Sequence, residues 1–260
     1  MEFLRSPDNP ALARLKLLLR DGAARRGEGR ALAEGPHLAS EALAAGLARA
    51  LWATEEAMAG PDAAGLLKAA AAAGVRVRGL SAGLFNRLAD TRSPQGWLCE
   101  VELRRPEPVP KGDLFLALDA LQDPGNLGTL LRCAWAAKAG VILGAGCADP
   151  WAPKVLRAGA GAQFHIDLRE APDLGLALKD LASGGVHLWA TAPRASKSYL
   201  NALASEPCCW VLGSEGAGLN PDLVNICEES FRITYPGNAE SLNVAVSGAI
   251  LLFDALRQRN

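Results

Sequence analysis

Half of the 260 residues are apolar and 21% are charged, a balance that belongs to a globular chain and excludes a disordered or fibrous one. The net charge of −1 gives no global basic field to advertise nucleic acid, and no apolar run reaches membrane-spanning length. The start, Met1-Glu-Phe-Leu-Arg-Ser-Pro7, lacks the apolar core of a signal peptide, so the expected address is the cytoplasm.

The charge is uneven. Residues 1–30 hold seven basic groups against four acidic ones, a net of +3 that leaves −4 on the remainder. From Asn9 to about Arg25, Leu12, Leu15, Leu18 and Leu19 recur at helical spacing. Arg14, Lys16, Arg25, Arg26 and Arg30 accompany them, either as a phosphate-binding arm or as an ordinary solvated helix face. Strands are expected near Arg30–Glu34, Ala48–Ala53, Gly74–Arg78 and Trp97–Leu103, with helices opening at Pro36, Pro61-Asp62 and Ser81. Residues 1–103 thus read as a small α/β unit. The segment 104–112 carries three prolines in five positions, which favour extended backbone and mark a linker.

From 113 to 260 the rhythm restarts. Strands are expected at Leu114–Leu118, Val141–Leu143, Phe164–Leu168, Val186–Ala190, Cys208–Leu212 and Phe231–Thr234. Helices are expected at 127–138, 153–159, 172–183, 220–226 and 243–258. Short, wholly apolar strands between helices read as a parallel sheet covered on both faces. The six cysteines form no Cys-x-x-Cys pair, and His37, His165 and His187 are far apart, so no metal site is expected.

In a parallel sheet, ligands gather at the carboxyl ends of strands. Three loops there draw attention. The first runs from Asp119 to Arg132, where Asn126 is placed to cap a helix and Arg132 to sit in its second turn. It is not a P-loop, because no Gly-Lys-Thr/Ser ends it. The second, Trp210 to Asn220, holds three glycines in six positions and the acid Glu215. The third, Ile233 to Asn243, sets Glu240, Ser241 and Asn243 at the mouth of the last helix. Each alone reads equally well as a turn or a cap.

In order and spacing the three loops resemble the signature motifs of the SpoU (TrmH-type) RNA 2′-O-ribose methyltransferases, a branch of the SPOUT superfamily. Asn126-x-Gly128-x-x-x-Arg132 resembles the first motif, Leu212-Gly213-Ser214-Glu215-Gly216-x-Gly218 the second and Glu240-Ser-Leu-Asn243 the third. Asp149 to Gly161 resembles a family segment that links the first helix to the next strand. The N-terminal part resembles the substrate-recognition domain often attached to this family, through Asn9-Pro10, the basic helix and Arg30 to Leu38. That pairing favours the phosphate-binding reading of the arm.

The resemblance implies an α/β fold: a parallel-sheet SPOUT-type catalytic domain with a C-terminal trefoil knot, preceded by a smaller α/β RNA-binding domain. It implies S-adenosyl-L-methionine as cofactor, a homodimer, and a ribose 2′-hydroxyl of structured RNA as acceptor. Ribosomal RNA, 23S in particular, is the expected substrate, with transfer RNA second and a non-catalytic RNA-binding or ribosome-assembly role as the rival. Arg132 is implied as the hydroxyl-activating residue, acting from the partner subunit, with Asn126, Glu215, Ser241 and Asn243 orienting it and the ribose. Thr191, Ala192, Leu212, Gly213, Gly216, Ile233, Tyr235 and Leu242 are implied around the cofactor. Arg14, Lys16, Arg25, Arg26, Arg30 and Arg157 are the expected RNA contacts. One departure stands out: Ile233-Thr234-Tyr235 occupies the place where the family usually shows Ile-Pro-Met, and Tyr235 is expected to pack along the adenosine.

Overall fold

The structure, a computed structural model, describes residues 3–91, 93–104, 112–214 and 216–259. Most of the expected linker, and Glu215, lie outside the described residues. In chain order the elements are β1 (Phe3–Leu4), α1 (Pro10–Arg20), α2 (Gly22–Glu28), β2 (Arg30–Glu34), α3 (Pro36–Ala44) and β3 (Ala48–Ala53). Next come α4 (Glu55–Ala59), α5 (Ala63–Ala72), β4 (Arg76–Leu80), α6 (Ala82–Leu88), β5 (Trp97–Glu102) and β6 (Leu114–Leu118). They are followed by α7 (Pro124–Ala137), β7 (Gly140–Leu143), α8 (Pro153–Ala158), β8 (Leu168–Glu170), α9 (Leu174–Ser183) and β9 (His187–Thr191). The chain closes with β10 (Lys197–Ser198), β11 (Cys208–Leu212), α10 (Pro221–Ile226), β12 (Glu229–Arg232) and α11 (Val244–Arg259).

The elements fall into two compact units. The first takes the described residues through Arg104 and also Asp149–His165, and the second takes the rest. In the first unit the sheet order is β1-β4-β3-β5-β2, with β5 antiparallel to β3 and β2. Leu12, Leu15, Leu18, Leu84 and Phe85, from α1 and α6, share one core cluster with Leu32, Trp52 and Leu98 of the sheet. A second cluster joins α3 and α5 to Trp151, Leu156 and Phe164. Apolar residues of 149–165 therefore complete a core that residues 1–103 do not close alone. The strand expected at Phe164–Leu168 is displaced for this reason. Phe164, fully buried, ends a 3₁₀ turn over Ala162–Phe164, and the strand begins only at Leu168.

The single helix expected from Asn9 to Arg25 is two helices. Asp21 ends α1 by donating its N–H to the Leu17 carbonyl, and its side chain caps α2 by accepting from the N–H groups of Ala23 and Ala24. Arg25 thereby turns inward. It is 4% exposed, donates from Nε and Nη2 to Asp149 Oδ2 at 2.9 and 2.5 Å, and from Nη1 to the Leu18 carbonyl at 2.7 Å.

In the second unit seven strands run parallel in the order β10-β12-β9-β11-β6-β7-β8. Phe115, Ala117, Leu188, Cys209 and Val211 form a core cluster with α9 and Leu223 of α10. The helices α7 and α11 pack against each other, and α11 also contacts β11 and β6. Gly248 permits that approach: a Cβ there would stand 2.3 Å from Leu130 Cδ2. The chain thus leaves β12, on the far side of β9, and returns in α11 over β11 and β6. Because β11 is inserted between β6 and β9, the strand order reverses beside β6, the place where α/β sheets open a crevice at their carboxyl edge.

Candidate active site

Three chain segments build a cavity of about 330 Å³ at this edge. The end of β9 contributes Thr191 and Pro193, the loop after β11 contributes Leu212, Gly213, Ser214, Gly218 and Leu219, and the entry to α11 contributes Ser241 through Val244 with Ser247. The volume falls in the range of small-molecule sites, roughly 300–1,000 Å³.

Gly213, directly after β11, is sterically required. A Cβ on Gly213 would lie 2.2 Å from the Gly218 carbonyl and the Leu219 nitrogen, so only hydrogen fits where the loop folds back. The Gly218 N–H donates to the Ser214 carbonyl at 3.0 Å and closes the loop, with Gly218 at φ +72°. The Leu212 carbonyl accepts the Asp119 N–H at 2.8 Å, tying this wall to the loop after β6.

Asn243 starts α11. Its Oδ1 accepts from the N–H groups of Ala245 and Val246 at 2.9 and 3.2 Å, a helix cap. Its Nδ2 donates to Asn126 Oδ1 at 3.0 Å, so the first and third loops meet side chain to side chain. Asn126 is not the cap of α7, as the sequence reading expects. Asp123 takes that role, accepting the Asn126 N–H at 2.7 Å, and the helix begins at Pro124. The earlier start frees the Asn126 side chain from capping and places Arg132 in the third turn instead of the second.

Among the implied cofactor residues, Thr191, Leu212, Gly213 and Leu242 line the cavity, whereas Ala192, Gly216, Ile233 and Tyr235 do not. The Ala192 N–H is committed to the Phe231 carbonyl at 3.0 Å, Gly216 is exposed on the loop, and the Tyr235 hydroxyl donates to the Ala239 carbonyl at 3.0 Å. Thr191 Oγ1 is buried at the cavity and has no hydrogen-bond partner among the described residues. An unpaired buried hydroxyl is costly unless something else satisfies it. Ser241 and Asn243 line the cavity, Asn126 reaches it through Asn243, and Arg132 stands exposed on α7 outside the lining.

Pro193, Leu219, Val244 and Ser247 line the cavity without having been singled out in the sequence, and Ser214 lines it although it was named only as part of the second motif. Ser247 was within reach of periodicity, since it lies one turn after Asn243, whose carbonyl accepts its N–H. Pro193 and Leu219 follow strand ends by one or more residues and carry no such signal.

The first unit holds the expected RNA contacts. Arg26 is exposed and Lys16 half-buried. Arg14 pairs with Glu28 and Glu100 at 2.7 and 2.8 Å, and Arg30 with Glu102 at 3.4 Å. Arg157 donates from Nη2 to Asp90 at 2.7 Å while its Nη1 is buried without a partner among the described residues. Arg25 is the correction: its buried pairing with Asp149 makes it a structural tie and removes it from any phosphate-binding surface. No described cluster of His, Cys, Asp or Glu could hold a metal ion. Burial pushes the Cys208 thiol up to about 11 and the Cys227 thiol to about 12, away from nucleophilic use.

A sequence model of the SpoU rRNA Methylase family matches residues 113–253, and one of the MRM3-like substrate binding domain matches residues 9–99. The chain belongs to the SpoU rRNA methylase family. Among SpoU relatives, an uncharacterized tRNA/rRNA methyltransferase of Synechocystis is 32% identical over 98% of this chain and 94% of the relative. The 23S rRNA (guanosine(2553)-2'-O)-methyltransferase RlmP of Bacillus subtilis is 34% identical over 85% of this chain and 86% of its own. In structure, the AdoMet-bound rRNA methyltransferase from Sinorhizobium meliloti superposes with a TM-score of 0.86 at 29% identity, covering 98% of this chain and 97% of the other.

Proposed function

We propose that this SpoU protein transfers a methyl group from S-adenosyl-L-methionine to a ribose 2′-hydroxyl of structured RNA, most naturally 23S ribosomal RNA. The observation that carries the reading is the meeting of Asn126 and Asn243 beside a cavity walled by Thr191 and Gly213. The cavity suits that cofactor. Leu212, Leu219, Leu242 and Val244 offer apolar surface, Gly213 brings backbone within reach, and the Thr191 hydroxyl, without a partner among the described residues, is placed to meet a polar group. Bound there, S-adenosyl-L-methionine would supply the methyl group.

The remaining work is positional and electrostatic. An oxygen nucleophile must approach in line, and fixing that approach accounts for much of the rate. Asn243, held at once by the α11 cap and by Asn126, presents a rigid amide edge to the ribose, with Ser241 two residues before it in the same motif and Glu215 supplied by the second motif. Arg132 serves as the cation that anchors phosphate and stabilises the developing alkoxide. Its place outside the lining of its own cavity supports a role in the partner's site. Val246 and Phe253, 49% and 46% exposed and seven residues apart on one stripe of α11, support a homodimer built on that helix. The return of α11 from β12 over β11 and β6 supports a trefoil knot. Residues 1–103, with 149–165 packed into the same unit, form the RNA-binding domain in this reading, with Arg14, Lys16, Arg26, Arg30 and Arg157 as its contacts.

The test is transfer of labelled methyl from S-adenosyl-L-methionine to bacterial RNA separated into ribosomal and transfer pools. Label in the ribosomal pool is expected, and label confined to transfer RNA would change the substrate. Cofactor binding without label in either pool would favour a non-catalytic RNA-binding role. Arg132→Ala is expected to abolish label while keeping cofactor affinity. Mixing Arg132→Ala with Asn243→Ala chains restores label if Arg132 serves the partner's cavity; failure to restore it would return Arg132 to its own chain's site.

A further inference from the structure

The segment between Arg232, at the end of β12, and Val244, at the start of α11, carries Ser241, Leu242 and Asn243 to the cavity. It contains Gly237, where an added Cβ would meet nothing, so the middle of the loop has little packing to hold it. A loose loop at a binding site weakens affinity, because ordering it on binding costs conformational entropy. Two side-chain contacts restrain this one at its start. Thr234 Oγ1 lies 3.3 Å from Ser198 Oγ of β10, and the Tyr235 hydroxyl donates to the Ala239 carbonyl at 3.0 Å. The second closes the stretch Pro236–Asn238 into a ring that ends one residue before Glu240. Pro236 adds to the restraint by biasing Tyr235 toward extended backbone.

These two contacts fall on Thr234 and Tyr235, the residues that depart from the family's usual Pro-Met. A methionine thioether has no hydrogen to donate, and a proline has no side-chain hydroxyl. We propose that Tyr235 is a positioning residue. Its hydroxyl, with the Thr234–Ser198 contact, clamps the loop so that Leu242 and Asn243 stand ready at the cavity before the cofactor arrives. This differs from the adenosine-packing role expected of Tyr235, and it rests on the cavity being the cofactor site.

The experiment compares wild type, Tyr235→Phe and Tyr235→Met in the full-length chain. Tyr235→Phe keeps the ring and removes only the hydroxyl. Loss of one hydrogen bond predicts about a two- to tenfold rise in the dissociation constant and KM for S-adenosyl-L-methionine. The kcat at saturating cofactor and the melting temperature should remain close to wild type, because the bound loop and the core are unchanged. Amide hydrogen exchange over 237–242 in the ligand-free chain should accelerate in both variants. Wild-type affinity and exchange in Tyr235→Phe, with loss only in Tyr235→Met, would overturn the clamp in favour of ring contact with the cofactor. Should the wild-type chain itself fail to bind S-adenosyl-L-methionine, the cofactor reading falls. The exchange comparison would then still judge whether the hydroxyl orders the loop.

Discussion

The two ends of α11 carry opposite kinds of polar chemistry. At its C-terminal end Arg259 engages all three of its guanidinium nitrogens. Nε donates to the Ala204 carbonyl at 2.6 Å, Nη2 faces the carbonyls of Asp113 and Glu206 at 2.9 and 2.7 Å, and Nη1 pairs with Asp113 Oδ1 at 2.6 Å. Gln258 adds an acceptor for the Ala204 N–H at 2.9 Å. At the N-terminal end Asn243 divides its amide between the helix cap and Asn126, while beside it the Thr191 hydroxyl has no partner among the described residues. One end spends its hydrogen-bonding capacity on holding the chain, and the other keeps some in reserve at a cavity. A site that binds must retain unmet valences at some expense of stability, whereas a clasp contributes most when none are left.

Three substitutions would break or sharpen that contrast. The largest effect is expected for Asn243→Ala, which removes the cap and the tie to Asn126 together. Methyl transfer should fall about 100-fold through lost positioning, with a stability cost of only about 1 kcal/mol. Equal losses of activity and fold would mean that Asn243 is a cap and nothing more. Arg259→Ala should show the reverse pattern, a loss of about 2 kcal/mol, read as a melting temperature lower by about 4–8 °C. Cofactor affinity at 25 °C should stay within about twofold, because Arg259 lies at the opposite end of α11 from the cavity, and the bonds to the three carbonyls, not the pair with the exposed Asp113 carboxylate, supply the stability effect. A matching loss of affinity would show the two ends to be coupled along the helix.

The smallest effect, and the most discriminating in sign, is expected for Thr191→Val. Replacing a buried unpaired hydroxyl by a methyl of the same shape should leave the free chain as stable as before or slightly more so. The same change should weaken cofactor binding by about two- to tenfold. Calorimetry of both states measures this directly, and a destabilised free chain with unchanged affinity would show that the hydroxyl is satisfied within the fold.

The layout of the second unit was legible because its signals are local. Leu114–Leu118 and Cys208–Leu212 are short apolar runs bounded by turns, and both are fully buried parallel strands. The glycines at 213 and 218 likewise announced a tight loop, and the steric wall at Gly213 shows why no other residue serves there. Legibility failed where local signals competed. Both Asp123 and Asn126 suit a helix cap, and only the structure shows that Asp123 takes the α7 N-terminus while the Asn126 side chain turns to Asn243. A regular leucine spacing likewise carried one expected helix past Asp21, which ends α1 and starts α2.

The sequence by itself determined most of the strands and helices (β1, α4 and β10 were not expected), where the glycine loops fall, and which family the chain joins, because periodicity, turn chemistry and motif order are properties of neighbouring residues. Tertiary structure alone decided the rest. It brought Asn126 to Asn243 across 117 positions, buried Arg25 against Asp149 across 124, and set Phe164 in the core of the first unit. It also turned the Tyr235 hydroxyl toward its own loop and left Thr191 Oγ1 without a partner among the described residues at the cavity. The physical reason is common to all five. Whether a polar or aromatic side chain is spent on the fold or held for a ligand depends on the partner that packing brings within about 3–4 Å, and composition and spacing do not specify that partner.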